Sequence, residues 1–126
     1  MQNPDLLFFF DKTPAALPLY EAFESRLAET VGEYTTRVQK TQITFSNRHV
    51  FACVSFLKVR KAAQRPPVYI VITFGLARKV DSPRIDAAVE AYPGRWTHHV
   101  LVAGREDLDE ELMSWVREAY HFSASK

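Results

Sequence analysis

Hydrophobic positions along the 126-residue chain recur with two periods, and the switches between them mark out its elements. Leu6, Phe8 and Phe10 alternate, which predicts a short opening strand or turn. Thr13 and Pro14 then suit a helix start, as N-cap and first helical residue. Leu17, Tyr20, Phe23, Leu27 and Val31 follow at helical spacing, with Glu21, Glu24 and Arg26 on the other side. Pro18 fits only within a first turn, which moves the start toward Leu17, and Gly32 closes the helix.

The middle of the chain reads as β. Ile43 and Phe45 lie on one side of a strand over 41–46, with Gln42, Thr44 and Ser46 on the other. Ser46-Asn47-Arg48 predicts a tight turn, with Asn47 able to accept a left-handed backbone. Val50–Arg60 and Pro67–Leu76 are further strands, separated by a basic, proline-stiffened tip from Lys61 to Pro67. In the second of them Val68, Ile70, Ile72, Phe74 and Leu76 share a face, and Tyr69, Val71 and Thr73 line its opposite.

Ser82-Pro83 then predicts a short helix with Ile85, Ala88, Val89 and Tyr92 on its apolar side, ended by Pro93-Gly94. Trp96–Ala103 returns to strand, with Trp96, His98, Val100 and Val102 on one face and Thr97, His99 and Leu101 on the other. A closing helix from about Glu106 to His121 carries an acidic first turn. Its apolar stripe is Leu108, Leu112, Trp115, Val116, Ala119 and Tyr120. The expected architecture is α+β over residues 1–126 as one domain: an antiparallel sheet of about four to five strands with helices packed on one face. No alternation of strand, crossover and strand marks a parallel sheet.

Composition narrows the class of protein. The chain is 47% hydrophobic and 25% charged, as a domain with a core requires. No apolar run approaches the ~20 residues of a membrane-spanning helix. The start lacks the basic segment and cleavage site of a signal peptide, so the expectation is a cytoplasmic protein without a membrane partner. With Cys53 the lone cysteine, no internal disulfide forms. Its apolar surroundings in the sequence read as those of a small buried hydrophobe rather than a nucleophile.

Charge changes the picture more. The net charge of +1 hides a segregation. Met1–Glu33 holds six acids against two bases, and the stretch from Asp81 onward nine acids against five bases. Between Tyr34 and Val80 there are nine bases and no acid. Of these, Lys40, Lys58, Arg60, Lys61 and Arg65 fall near strand ends and the Lys61–Pro67 tip, a pattern suited to phosphate-backbone contact by a basic β region. That reading requires the positive side chains to gather on one solvent-facing surface instead of pairing with the flanking acids.

Several stretches resemble an uncharacterised bacterial family classed as a domain of unknown function. They are Leu19-Tyr20-Glu21-Ala22-Phe23, Lys40-Thr41-Gln42-Ile43-Thr44-Phe45, Phe51-Ala52, Gly94-Arg95-Trp96-Thr97-His98-His99, and the helix from Leu108-Asp109-Glu110-Glu111-Leu112 to Arg117-Glu118-Ala119-Tyr120. The closing third, a Trp-led strand followed by an acidic-start helix ending in Ala-Tyr, is similar to the YjbR/MmcQ-like domains. That likeness implies a double-wing α+β fold and DNA binding; neither resemblance brings a catalytic residue.

The remaining candidates are few. Adjacent His98 and His99 point to opposite faces of a strand, so they do not jointly grip one metal ion. One is expected to be structural. The other, His99 if Trp96 and His98 point inward, is a candidate binding or acid–base group. Arg95-Trp96 reads as a core anchor, or as the floor of a ligand pocket with Arg95 as anion partner. No nucleophile elbow or glycine-rich phosphate loop occurs, and the paired acids are explained by helix capping. No catalytic residue, metal ligand or cofactor is therefore assigned. Three readings follow. The first is a non-enzymatic module binding an anionic partner, nucleic acid in its leading version, through the basic β region. The second is a small-molecule or enzymatic domain using an open sheet face, with Tyr69, Arg95, Trp96, His98 and His99 as pocket residues and Lys40 beside them. The third is a protein-interaction domain acting as a homodimer in place of a monomer.

Overall fold

The computed structural model describes residues 3–126. Its elements are α1 (Pro4–Phe9), α2 (Leu17–Thr30), β1 (Thr35–Val38), β2 (Gln42–Ser46), β3 (Val50–Ser55), β4 (Ile70–Leu76), β5 (Ala87–Tyr92), β6 (Arg95–Val102) and α3 (Glu110–Ala124). All six strands join one antiparallel sheet in the order β1-β2-β3-β4-β6-β5. The α+β class holds, and the sheet is a little wider than the four to five strands expected.

One face of the sheet carries the main core. Phe23 and Leu27 of α2 and Leu112, Trp115 and Val116 of α3 are buried with Ile43, Phe45, Val54, Ile72, Phe74 and Val100 of the strands. These are the faces that the alternation specified. Leu17 does begin α2, with Pro18 in its first turn behind a short 3-10 turn at Pro14–Ala16. The network around Asn47 fixes the far end of α3. Its amide donates to the Tyr120 carbonyl at 2.8 Å and its oxygen accepts from the Ser123 hydroxyl at 2.6 Å. Asn47 is not left-handed, since no residue but glycine has positive φ among those described. Its side chain, not its backbone freedom, is what the turn uses.

Four expectations need correcting. The opening strand is helix α1: Asn3 caps it by accepting from the Asp5 N–H at 2.8 Å, and Pro4 takes the first turn. Alternating Leu6, Phe8 and Phe10 concealed the start signal Asn-Pro-Asp. The short helix after Ser82 is strand β5. Tyr92-Pro93-Gly94-Arg95 closes a two-residue hairpin, Gly94 at φ 83, and Tyr92 pairs with Arg95. The edge of β6 offers a full ladder of hydrogen bonds, whereas six residues make a marginal helix. The closing helix starts later than expected, at Glu110, where Asp109 caps it by accepting from the Leu112 N–H at 3.1 Å. Finally, β3 stops at Ser55 and β4 starts at Ile70, so residues 56–69 form a long connection and not a narrow hairpin tip.

That connection does not project freely. Arg60 donates to Asp86 at 2.7 Å, and Asp86 also accepts from the Leu101 N–H at 2.7 Å, just before β5 begins pairing with β6. Beside this link Val71 and Leu101, paired on the face opposite the helices, are buried although they lie outside the main core. The helix-free face is thus covered at one end and open beyond it.

Candidate functional site

Register places a row of polar side chains on the helix-free face. Thr44 pairs with Cys53, Cys53 with Thr73, and Thr73 with His99. Their strand neighbours Ala52, Val54, Phe74, His98 and Val100 point into the core, so alternation forces Cys53, Thr73 and His99 outward. Thr73 Oγ1 and His99 Nδ1 share a hydrogen bond of 2.8 Å. Above this row lies a cavity of about 450 Å³. Cys53, Ser55, Thr73 and His99 contribute from the strands, Gln42 and Lys40 from the β1–β2 turn region, and Phe9, Phe56 and Leu57 supply apolar walls. Phe9 and Phe56 stack at 5.4 Å and, with Lys40, also line a neighbouring recess of about 480 Å³ beside α1.

The electrostatics of the floor are those of neutral donors and acceptors. Burial holds His99 below the ordinary histidine value, leaving a neutral imidazole near pH 7. Burial pushes the Cys53 thiol up, opposed in part by the Thr73 hydroxyl and the Arg95 charge. A protonated thiol is a poor nucleophile. Among the described residues, Lys40 is the only cation lining this cavity and no carboxylate lines it. Among the described residues, no group of three or more His, Cys, Asp or Glu side chains converges to hold a metal ion.

The residues singled out in the sequence divide among different places. His99 and Lys40 share the cavity, while Tyr69, Arg95, Trp96 and His98 lie elsewhere. Tyr69 donates from its hydroxyl to the Phe56 carbonyl at 3.5 Å and packs edge-on to the Phe56 ring, supporting the cavity wall from behind. Trp96 is half-buried with the Lys79 ammonium 5.6 Å above its ring. His98 is fully buried, stacked on Phe74 at 5.2 Å, and accepts at Nε2 from the Val80 N–H at 3.0 Å. It is the structural histidine of the pair. Arg95 lies over Gly75 at the other end of the sheet.

Of the nine central cations Arg37 lies within β1, and the other eight split as well. Antiparallel pairing sets Lys40, Lys58, Arg60, Lys61 and Arg65 at one end of the sheet and Arg48, Arg78 and Lys79 at the other. Arg60 is held by Asp86 and Arg78 by Glu118 at 2.8 Å, while Lys40, Lys58, Lys61 and Arg65 form no ion pair among the described residues. One common basic surface is therefore not formed, though four unpaired cations share an end.

Sequence reasoning read Cys53 as a small buried hydrophobe, whereas it is half-buried and lines the cavity, and it did not single out Thr73, Ser55 or Gln42 as site residues. A signal existed: Ala52 and Val54 are both inward by alternation, which leaves Cys53 facing out.

A six-stranded antiparallel sheet with helices on one face and a walled recess on the other defines an α+β domain with a sheet-face cavity. The chain belongs to a family described as Domain of unknown function (DUF5655), whose model matches residues 8–123. No curated protein and no solved structure matches the chain. No helix among the described residues is long and apolar enough to cross a membrane.

Proposed function

We propose that this domain is a binding module for a small amphiphilic molecule bearing an anionic group, held over Cys53, Thr73 and His99. The single observation behind this reading is the cavity of about 450 Å³, a volume within the usual range for small-ligand sites, with apolar walls and convergent polar groups. Phe9, Phe56 and Leu57 supply apolar surface for a hydrocarbon or aromatic body. His99, Thr73 and Gln42 supply hydrogen bonds that orient it, and Lys40 at the rim supplies the charge for the anionic end. The reading keeps an anionic partner and a non-enzymatic role, and changes the partner's size. Binding is favoured over chemistry because the thiol is held protonated and the imidazole has no carboxylate to raise its basicity.

A panel of aromatic and aliphatic carboxylates tested by thermal shift should contain members that raise the melting temperature. The same compounds should slow alkylation of Cys53, and Lys40→Ala or His99→Phe should remove both effects while the fold persists. A panel that neither stabilises the protein nor shields Cys53 would end this reading.

A second reading rests on Lys58, Lys61 and Arg65. These side chains of the 56–69 connection have no carboxylate partners among the described residues and suit a polyanion such as nucleic acid.

A further inference from the structure

Four of the described arginines, Arg26, Arg60, Arg78 and Arg84, each hold a carboxylate. The other six form no ion pair among the described residues; of these only Arg65 and Arg95 are half-buried, and Arg95 is also tightly placed. It starts β6 on the same face as Thr97 and His99 and reaches over β4 at Gly75. A Cβ on Gly75 would stand 2.5 Å from its Nη2 and 2.6 Å from its Nε. The guanidinium therefore lies flat on backbone that glycine leaves bare. Gly75 does not have positive φ, so what the glycine provides here is room.

The surroundings are cationic. Lys126 donates to the Tyr92 hydroxyl at 2.6 Å and sits 4.3 Å from the Phe122 ring centroid, while Arg95 is 6.0 Å from the Tyr92 ring. These groups and His49 line a recess of about 170 Å³ that has no Asp or Glu among its lining residues. Lys126 thus has the phenol oxygen as its acceptor, while Arg95, beside the same ring, forms no ion pair among the described residues. A guanidinium offers a planar fork of donors that matches two oxygens of one anion. The geometry points to an oxyanion-binding site at Arg95, fitted to inorganic phosphate or to the phosphoryl end of a small ester, and separate from the cavity over His99.

The test is a titration of ¹⁵N-labelled protein with inorganic phosphate, with chloride at matched ionic strength as reference. Phosphate should shift the Gly75 and Arg95 amides saturably. Arg95→Gln should abolish the response, and Arg95→Lys, which keeps the charge without the fork, should weaken it about tenfold. Gly75→Ala displaces the end of a flexible side chain, so it should weaken phosphate binding while leaving the fold intact. Lys40→Ala should leave phosphate binding unchanged, which separates this site from the carboxylate pocket. No saturable shift, an equal shift with chloride, or a full response in Arg95→Gln would overturn the assignment.

Discussion

His98 shows what it costs to place an imidazole in a core. Its Nε2 accepts from the Val80 N–H, but its Nδ1 has no hydrogen-bond partner. Desolvation holds it below the ordinary histidine value. The Arg78 charge acts in the same direction, opposed by the Phe74 and Trp96 carbonyls and by Glu118. His99 is displaced the same way by burial. As pH falls, the unfolded chain therefore takes up protons that the folded chain refuses. The stability contributed by these neutral rings is complete above about pH 6.5 and declines below it. Urea unfolding at about pH 7.5 and about pH 5.5 should show a clear loss at the lower value, and His99→Phe should lose less. Equal stability at both values would mean that neither ring is displaced.

Within the elements, Asp86 joins two that are far apart in sequence. Its carboxylate takes the Leu101 N–H at 2.7 Å and the Arg60 guanidinium at 2.7 Å, pinning the 56–69 connection beside Val71 and Leu101. Asp86→Ala should cost about 1–3 kcal/mol in urea titrations, because a buried N–H is left without an acceptor. Arg60→Ala should cost no more than about 1 kcal/mol, since the arginine side of the pair is over a third exposed. Equal losses for the two variants would contradict this division. At α3, Asp109 both caps the helix and meets Arg84 at 2.7 Å. Asp109→Ala should cost about 1 kcal/mol from the cap, with Asp109→Asn recovering most of it. The ion pair itself is half-exposed and contributes little.

For the whole molecule the question is how the unpaired cations act together. Lys58, Lys61 and Arg65 occupy the outer part of the 56–69 connection, beside Lys40 at the β1–β2 turn. If they serve a polyanion, retention on heparin should fall steeply with salt and drop when all three become Ala. Arg60→Ala should change retention little, because that charge is already neutralised by Asp86. Retention unaffected by the triple variant would leave the small-ligand cavity as the surviving site. The sheet also ends in two edges, β1 and β5, and Val89 and Tyr92 of β5 are 57% and 49% exposed. Sedimentation across a concentration series would show whether a second copy pairs there.

Much of the fold was legible because periodicity reports which side chains avoid water. Ile43, Phe45, Ile72, Phe74 and Val100 faced the core as their spacing required, and Leu112, Trp115 and Val116 formed the buried stripe of α3. His98 and His99 separated onto opposite faces for the same reason. Short segments were less legible, since a strong local signal such as Ser82-Pro83 can be overridden when a neighbouring strand offers a complete set of hydrogen bonds. The candidate cavity was the least legible. His99 and Lys40 were visible as residue types, but Cys53 and Thr73 became their neighbours only through β3–β4–β6 register. Likewise Arg60 looked free until folding brought it to Asp86. The sequence by itself determined which faces were apolar and where charge was concentrated, because those depend on local order along the chain. Tertiary structure alone decided which cations were left unpaired and which polar groups shared a pocket, because those depend on residues brought together across the sheet.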